Sequence, residues 1–597
     1  MRLNKFGYLI LTSFAATLSA VACGGGSDST PSATATTAPR NTVTAPTATA
    51  ALGVTPLPAA TLPPATTSSI IDNALDPAPY ELENVKYGGS FKLVWGFSNG
   101  FLDPKYIIQI NDMWPAAEKL VGWIPNEKDV YSHLEPIIAE GWTTSTDLKT
   151  YTITLKKGVK WQNIAPVNGR EFVADDAVFN INRYGDKDSI RLPFYSQVES
   201  TKAVDKYTVE IKIKDPTAWL MNDIFGGTDW MVPPELVNEA SDKRLGTKFI
   251  GTGPYILKDY RFRQGMTFVR NPDYWHKDAK GRALPYTDSV EWIFILDAAT
   301  TVAGFRTGQL DTGPSLSGQG VAGLEAIAKT VPGMRLHATG LAPFVGLSFN
   351  TKKAPWNDVK VRRAMNMLID KDKFASLLTS STKLYYSTPL TWSDVSDKPF
   401  TVDEMGPYFK YNPAEAKKLL IEAGFADGKL KVATPMEYAA NPGFTLYSTI
   451  TQELLKQGGV QLELLSISTS EYFTKWYLQK HEDISLNFTN TGDYSLNWYA
   501  QNKYKIGATQ NTSFVSDPVI QQAIIDIKAT TDPVKLRQLG RILWDFDTQG
   551  SWNIWLINEK AFGATSPHVR NYVVRAASGF AGLTFMPWLT DAPRTSP

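Results

Sequence analysis

Residues 138–184 decide the fold, and they read IAEGWTTSTDLKTYTITLKKGVKWQNIAPVNGREFVADDAVFNINRY. Apolar and polar side chains alternate through residues 151–155, and this period of two indicates a half-buried β-strand. Four apolar residues then follow at the spacing of one helix face: Ala174, Ala177, Val178 and Ile181. The stretch therefore combines a strand and a helix in one short unit.

The same two patterns recur along the rest of the chain. Residues 206–213 alternate as a second strand. Three further helices are predicted to begin after residues that can cap a helix, namely Asp358, Asn412 and Asp532. Because strands and helices are intermixed throughout, the fold class is α/β or α+β, and we expect α/β.

Length and composition restrict the function. The chain has 597 residues, too many for one hydrophobic core, so two or more domains are expected. Its 60 Lys and Arg nearly balance its 59 Asp and Glu, which leaves no basic face for nucleic acid, so no nucleic-acid partner is expected. The 17 Trp either pack in the core or line a binding cleft, where a large ring offers contact area at low entropic cost.

Cysteine and histidine are rare. Cys23 is the single cysteine, which excludes a disulfide or a thiolate metal cluster within the chain. The histidines lack metal-ligand spacing, so surface or packing roles are expected for His133, His276, His337, His481 and His568. We therefore expect no metal site and no cofactor.

The N-terminus has the pattern of an export signal. Arg2 and Lys5 precede an apolar run, residues 6–22, that is short for a membrane-spanning helix. Small residues then lead to Cys23, and this resembles a bacterial lipobox, in which the cysteine becomes the first residue and carries lipid. We assign residues 1–23 to a lipoprotein signal peptide, with an ordinary signal peptide as the alternative. The protein is then extracytoplasmic and anchored to the cell membrane through lipid on Cys23.

Residues 24–85 have the composition of a stalk. They are mostly Ser, Thr, Ala and Pro, and such a segment buries too little apolar surface to offset the entropy of ordering. Proline keeps the segment extended, so it can hold a folded body away from a membrane.

Six blocks of sequence carry a resemblance to a known family. In chain order they are Trp142 with 151–179, 251–255 (GTGPY), 270–275 (RNPDYW), 308–311 (GQLD), 349–364 (FNT to Ala364) and 411–425 (YNP to AGF). Together they resemble the family-5 extracellular solute-binding proteins, a group that includes dipeptide, oligopeptide, nickel and some oligosaccharide receptors. In the first block Gln162-Asn163 stand where the family has Asp-Gly, and the turn there is longer.

The resemblance implies a two-lobe periplasmic-binding-protein fold of the class II type with an extra α+β subdomain in the first lobe. Lobe I would comprise residues 86–128, 245–345 and 558–597, the extra subdomain 129–244, and lobe II 346–557. The protein would be a monomer that captures a small solute between the lobes by hinge closure and delivers it to the permease and ATPase subunits of an ABC importer. It would not be an enzyme.

The resemblance also implies a ligand site. Peptide receptors of the family pair an aspartate of the second lobe with the α-ammonium group of the ligand, and Asp493 stands in the matching segment. A buried carboxylate needs such a cation. The ligand is therefore expected to be peptide-like. Six further residues are candidates for the cleft wall: Tyr494, Trp498, Trp392, Trp95, Phe97 and Asn99.

Three alternatives stay open. An oligosaccharide receptor would stack sugar rings on the same aromatic residues, and a receptor for a metal chelate would need no protein ligands to the metal. A surface glycosidase would need two facing carboxylates. Asp175-Asp176 is the obvious pair in sequence, but neighbouring helix residues do not face each other, and the pair is typical of a first helical turn.

Overall fold

The computed structural model describes residues 82–590 with gaps. The gaps fall at 96–99, 108–112, 126–131, 226–229, 241–243, 296, 314–322, 342–343, 379–383, 387–388, 391–394, 397, 399, 431–433, 440–441, 469–470, 473–474, 476–478, 490–495, 509 and 573–586. The predicted signal peptide, Cys23 and most of the predicted stalk lie outside the described residues. Within the described part, no helix combines the length and the apolar character that crossing a membrane requires.

The described strands are β1 Ser90–Trp95, β2 Val121–Pro125, β3 Ser132–Pro136, β4 Ala139–Thr144, β5 Thr150–Leu155, β6 Val198–Asp205, β7 Thr208–Ile213, β8 Tyr255–Arg261, β9 Gly265–Arg270, β10 Ser289–Phe294, β11 Arg335–Leu341, β12 Phe344–Phe349, β13 Leu384–Tyr386, β14 Thr434–Ala439, β15 Leu462–Ile467, β16 Ile484–Thr489, β17 Asn553–Trp555, β18 Ile557–Thr565, β19 Val569–Arg570 and β20 Trp588–Leu589.

The described α-helices are α1 Ala174–Tyr184, α2 Leu192–Tyr195, α3 Pro234–Glu239, α4 Ala298–Arg306, α5 Val359–Leu368, α6 Lys371–Leu378, α7 Pro413–Glu422, α8 Pro442–Gln457, α9 Leu496–Tyr499, α10 Pro518–Lys528 and α11 Pro533–Gly550. Two π-helices, Met221–Phe225 and Ala500–Tyr504, and one 3₁₀-helix, Pro407–Phe409, are also described, and residues 323–328 form a further helical segment.

The helix starts follow the predicted caps. The side chains of Asp358, Asn412 and Asp532 accept hydrogen bonds from backbone N–H groups in the first turns of α5, α7 and α11. Gly424 follows α7 with a φ of 96°, a conformation that glycine adopts without steric cost. These three helix predictions are confirmed.

The strands fall into two groups, each of which surrounds its own buried apolar core. We call the region whose core surrounds β1, β5 and β10 the first lobe, and the region whose core surrounds β12 and β16 the second lobe. The first lobe has one sheet in the order β1-β10-β9-β8 and an antiparallel sheet in the order β4-β5-β7-β6, on which α1 packs. The predicted alternation in β5 is confirmed by burial, but β7 begins only at Thr208, because the Asp205 carboxylate accepts the Tyr207 N–H and forms a turn. The lobe boundaries given above stay a prediction.

Two of the recognised sequence blocks meet at Glu118. Its buried carboxylate accepts hydrogen bonds from Thr252 Oγ1 at 2.8 Å, Tyr274 OH at 2.7 Å and Trp275 Nε1 at 2.9 Å. A Cβ atom on Gly253 would lie 2.5 Å from the carbonyl carbon of Ala116, so only glycine allows these backbones to approach. The GTGPY and RNPDYW blocks therefore build the core of the first lobe.

The second lobe has three layers. Its sheet has the order β15-β14-β16-β12-β17, in which β14, β15 and β16 are parallel and β12 runs antiparallel to β16 and β17. One face of the sheet carries Leu347, Leu486 and Ile554 into an apolar core that includes residues of α5, α7 and α8. The opposite face lies against the layer of α9, α10 and α11.

Among the described residues, the chain crosses between the lobes at two places, and the two crossing strands pair with each other. β11 leads into β12, and β18 returns from β17. The two crossing strands are antiparallel neighbours, from Arg335 opposite Thr565 to Leu341 opposite Lys560. Beyond β18, His568 Nε2 contacts the Asp311 carboxylate at 2.8 Å, so the returning chain is tied to a residue of the GQLD block.

Hydrogen bonds form a further connection between the lobes. Trp219, which follows β7 in the first lobe, donates its indole N–H to the Ile527 carbonyl at 2.8 Å. The Ala218 N–H donates to the Lys528 carbonyl at 2.9 Å. Ile527 and Lys528 form the last turn of α10, where carbonyl groups have no partner within the helix. This contact therefore joins the first lobe to the second far from the crossing strands in sequence.

Candidate functional site

The second sheet has one polar face. Along β12, β16 and β17 the apolar residues point to the core, and the alternate positions hold Ser348, Asn487 and Asn553. The register places Gly346 opposite both Asn487 and Trp555, and Ser348 opposite Asn553. Polar side chains from three strands are therefore neighbours on the face that meets the α9–α11 layer.

A hydrogen-bond network fixes these side chains. Asn487 Nδ2 donates to Ser348 Oγ and, at 3.1 Å, to Thr512 Oγ1. Asn487 Oδ1 accepts from Ser485 Oγ at 3.0 Å and from Tyr472 OH at 2.9 Å. A buried amide that is bonded on both of its ends holds one orientation, so the polar face is preorganised.

A small cavity opens on this network. It has a volume of about 20 Å³, and its wall includes Ser348, Asn487, Lys503, Tyr504, Thr512 and Asn553. This volume holds about one water-sized group, whereas a pocket for a whole drug-sized ligand takes some hundreds of Å³. The cavity is therefore too small for a whole solute.

A buried carboxylate lies behind the cavity wall. Asp547 on α11 accepts hydrogen bonds from Tyr504 OH at 3.0 Å, Asn553 Nδ2 at 2.8 Å and Trp555 Nε1 at 2.9 Å. Burial disfavours the charged form and raises the pKa of Asp547 to about 6, although all three donors oppose the shift.

Lys503 supplies a cation at the cavity wall. Desolvation lowers the pKa of its ammonium group to about 7, and the negative charge of Asp547 partly opposes this shift. Part of the side chain keeps access to solvent, although the ammonium group is desolvated. At neutral pH the site therefore contains a lysine whose charge depends strongly on what lies beside it.

The π-helix Ala500–Tyr504 presents these residues. It continues directly from α9, and its wider turn brings Lys503 to the cavity while Tyr504 reaches Asp547. π-helical turns are rare and occur often at functional sites.

The cavity lies on the face of the sheet, because its wall includes Ser348, opposite Ser485 near the start of β16, and Asn553 at the start of β17. The carboxyl ends of the strands form a separate edge. Phe344 at the start of β12 is opposite Thr489 at the end of β16, so the carboxyl ends of the three parallel strands share this edge. The two crossing strands, β11 and β18, also join the sheet at this edge, because β12 begins there and β17 ends there. In open α/β sheets, ligands bind in the crevice outside the carboxyl ends of the strands. After Thr489 the chain enters the segment that contains Asp493.

Most of the predicted site residues lie outside the described residues: Asp493, Tyr494, Trp392, Phe97 and Asn99. Trp95 is the last residue of β1, and only its backbone is described. Trp498 lies in α9, half-buried, with its ring edge-on to Tyr499 at 5.5 Å between centroids. The predicted ligand roles of these residues stay predictions.

The polar face and Lys503 were not predicted from the sequence. The alternation in 484–489 (ISLNFT) and 344–349 (FVGLSF) is the signal that could have found Asn487 and Ser348, because these strands lie in a sheet that is covered on both faces. No comparable pattern marks Lys503 or Asp547, whose positions depend on the packing of separate segments.

The acidic pair has the predicted structural role. Asp175 is exposed, whereas Asp176 is buried, accepts the Val173 N–H at 2.9 Å and is held by both terminal nitrogens of Arg170. The two carboxylates point to different surroundings in the first turn of α1. No group of His, Cys, Asp and Glu that could hold a metal ion occurs among the residues with described positions.

Comparisons with known proteins agree with this architecture. A sequence model of the bacterial extracellular solute-binding proteins, family 5, matches residues 133–511. The glutathione-binding protein GsiB of Salmonella typhimurium is 26% identical over 457 residues, which cover 74% of this chain and 84% of GsiB.

Two solved structures have the same fold. The periplasmic binding protein DppA from Helicobacter pylori, in complex with the peptide STSA, superposes with a TM-score of 0.64 at 20% identity over 84% of this chain and 98% of DppA. NikA from Brucella suis, in complex with Fe(III)-EDTA, superposes with a TM-score of 0.68 at 19% identity over 83% of this chain and 99% of NikA.

Proposed function

Because the chain belongs to the bacterial extracellular solute-binding proteins of family 5, we propose that the solute it binds is a peptide or a peptide-like molecule. Membership confirms the predicted two-lobe α/β fold and the predicted role as the substrate-binding component of an ABC importer. The family is solute-binding rather than catalytic, and it acts outside the cytoplasm.

Two of the similar proteins support a peptide. GsiB is named for glutathione, and DppA was solved with a tetrapeptide. Such molecules carry ionised groups of both signs, so a site for them needs both an anionic and a cationic partner.

The single observation that carries the proposal is the preorganised polar face of the second sheet. Its amide and hydroxyl groups and Lys503 line a small cavity, and β16, which supplies Asn487, continues toward Asp493. We assign Asp493 to the α-ammonium group of the solute. Tyr494, Trp498, Trp392, Trp95, Phe97 and Asn99 are the proposed wall of the cleft.

The proposal extends to the N-terminal region. Residues 1–23 would be removed up to Cys23, which would carry the lipid, and residues 24–85 would link it to a monomeric body. Leu82 and Val85, at the end of that segment, pack against the core of the first lobe. The lobe boundaries predicted above belong to the same proposal.

A thermal-shift screen tests the solute class. Di- to pentapeptides, oligosaccharides and metal chelates are each added to the folded body, because a ligand of the native state raises the melting temperature by mass action. We expect peptides to stabilise the protein. A shift with sugars or chelates alone would contradict the peptide proposal and favour another solute class of the same family.

The Asp493→Asn variant tests the anchor. Its affinity for a peptide that stabilises the wild type is expected to fall at least about tenfold, since a charge-assisted hydrogen bond is lost. The exposed Asp215→Asn variant is the matched control. Equal affinity of the wild type and Asp493→Asn would show that Asp493 does not hold the ammonium group.

A further inference from the structure

We propose that residues 214–219 of the first lobe form a latch, which holds α10 of the second lobe while the lobes are closed and releases it when they open. We call the hydrogen bonds of Ala218 and Trp219 to the last turn of α10 the latch contact. The inference goes beyond the proposed solute class, because it concerns the change of shape and involves no group of the solute.

Contacts within the first lobe hold the donor side of the latch in place. Tyr151 of β5 donates its hydroxyl proton to the Thr217 carbonyl, and the Thr217 N–H donates to the Leu148 carbonyl at 3.2 Å. Thr217 Oγ1 in turn accepts the Trp219 N–H at 3.2 Å. Thr217 and Leu220 are buried, so the loop is packed as well as hydrogen-bonded. Because the donors are positioned in advance, little conformational entropy is lost when the contact forms.

The carboxyl end of α10 is the acceptor side. A helix leaves its last carbonyl groups without partners inside the helix, and a glycine in the left-handed conformation often caps them. Ala529 follows α10 instead, with a φ of −94°. Trp219 Nε1 donates to the Ile527 carbonyl at 2.8 Å. The Ala218 N–H donates to the Lys528 carbonyl at 2.9 Å. The first lobe therefore caps a helix of the second lobe, at the negative end of the helix dipole.

α10 itself is fixed within the second lobe. The Asp517 carboxylate caps its N-terminus and accepts the Val519 N–H at 2.9 Å and the Ile520 N–H at 3.2 Å. One face of the helix is buried through Ile520, Ala523, Ile524 and Ile527. Both sides of the latch contact are therefore parts of packed bodies, and neither depends on the other for its position.

Rotation of the lobes breaks the latch contact. Neither side of it belongs to the crossing strands β11 and β18, so rotation about these strands displaces the two sides relative to each other. The donor–acceptor distances are 2.8 Å and 2.9 Å. Because N–H···O hydrogen bonds extend to about 3.2 Å, a separation of about 1 Å is enough to lose both bonds. The latch contact therefore belongs to the closed form and not to the open form.

The latch contact favours closure whichever solute is bound. The apparent affinity of a receptor rises with the fraction of the protein that reaches the binding-competent form. The two hydrogen bonds stabilise that form without touching the solute. By linkage, a bound solute stabilises the latch contact to the same extent. The sheet of β4, β5, β6 and β7, which carries the loop, thereby sets how readily the lobes close.

Hydrogen exchange of the solute-free, full-length protein at low urea concentrations tests the latch. The Ala218 N–H is bonded across the lobes, whereas the Thr217 N–H is bonded within the first lobe and the Ile527 N–H lies inside α10. Opening of the lobes exposes less surface than unfolding does, so exchange through opening depends only weakly on urea. We expect Ala218 to exchange at least about a hundredfold faster than Thr217 and Ile527, and without their dependence on urea.

A variant tests whether the two hydrogen bonds act together. Trp219→Phe removes the indole donor and is expected to speed the exchange of Ala218 about two- to tenfold, while Thr217 and Ile527 keep their rates. Phe262→Leu changes an exposed aromatic residue of the same lobe and is the matched control. It should leave all three amides as in the wild type.

Three results would overturn the latch. Equal exchange of Ala218 and Thr217 with the same urea dependence would show that the contact is a fixed part of the interface. Joint exchange of Ala218 and Ile527 would show that α10 frays and does not move as a body. An unchanged Ala218 rate in Trp219→Phe would show that the two bonds do not act together. Because no solute is used, a failure here leaves the peptide proposal standing, and a failure of the peptide screen leaves the latch standing.

Discussion

Two buried carboxylates, Glu118 in the first lobe and Asp547 in the second, have nearly the same surroundings. Each accepts a tyrosine O–H, a tryptophan indole N–H and a third side-chain donor. Burial raises the pKa of both. The same arrangement, however, has different consequences in the two lobes.

The two carboxylates differ in where their hydrogen-bond donors are located. The donors of Glu118 come from the GTGPY and RNPDYW blocks, so this carboxylate joins distant parts of the first-lobe core. The three donors of Asp547 all line the cavity beside Lys503. A buried carboxylate with a tyrosine and a tryptophan therefore does not identify a functional site by itself. Asp547 differs from Glu118 in that a cavity and Lys503 lie next to it, and this makes its surroundings the candidate site.

The largest effect is expected at Glu118. Glu118→Ala leaves three donors without an acceptor, two of them buried and one half-buried, and should lower the free energy of unfolding by about 3–5 kcal/mol. Urea unfolding measures the change, with Glu118→Gln as a control that keeps one acceptor oxygen. If the alanine variant were as stable as the wild type, Glu118 would have no structural role, and the comparison with Asp547 would lose its basis.

A smaller, pH-dependent effect is expected at Asp547. Its pKa rises from 3.8 to about 6 on folding, so the stability it contributes is fully present below about pH 3.8 and is lost as the pH rises through about 6. Between pH 4 and pH 7 the wild type should lose up to about 3 kcal/mol relative to Asp547→Asn. Urea midpoints at four pH values measure this, and parallel pH curves for the two proteins would contradict it.

The smallest effect is expected for the hydrogen bond that joins Trp219 of the first lobe to α10 of the second lobe. Trp219→Phe removes one hydrogen bond to the last turn of α10 and keeps most of the ring surface. If this contact forms only when the lobes close, solute affinity should fall about two- to tenfold with little change in unfolding. Phe262, an exposed aromatic residue of the first lobe, gives a control as Phe262→Leu. Unchanged affinity would show that the contact does not depend on closure.

The sequence predicted the local structure and the family well, for physical reasons. Caps such as Asn412 act on the next turn of the chain, and the alternation in β5 reports the burial of each residue directly. The blocks could be recognised because each one is contiguous. Their meeting at Glu118 could not be predicted, since Thr252 and Trp275 are far from it in sequence.

The candidate site was harder to predict for the same reason. Ser348, Asn487 and Lys503 come together only through the register of β12 with β16 and the π-helix that follows α9. Nothing in the residues around Lys503 distinguishes it from the exposed Lys505. Asp493 could be named only through the resemblance, and its role stays a prediction.

The pairing of the two crossing strands also determines when the first lobe can be completed during biosynthesis. β11 and Asp311 precede the second lobe in the chain, whereas their partners in β18 and at His568 follow it. Until then the chain must form the whole second lobe as an insertion within an unfinished first lobe. Contacts of such long sequence separation form slowly. An exported chain of this topology therefore completes its first lobe only after the second lobe and β18 have crossed the membrane.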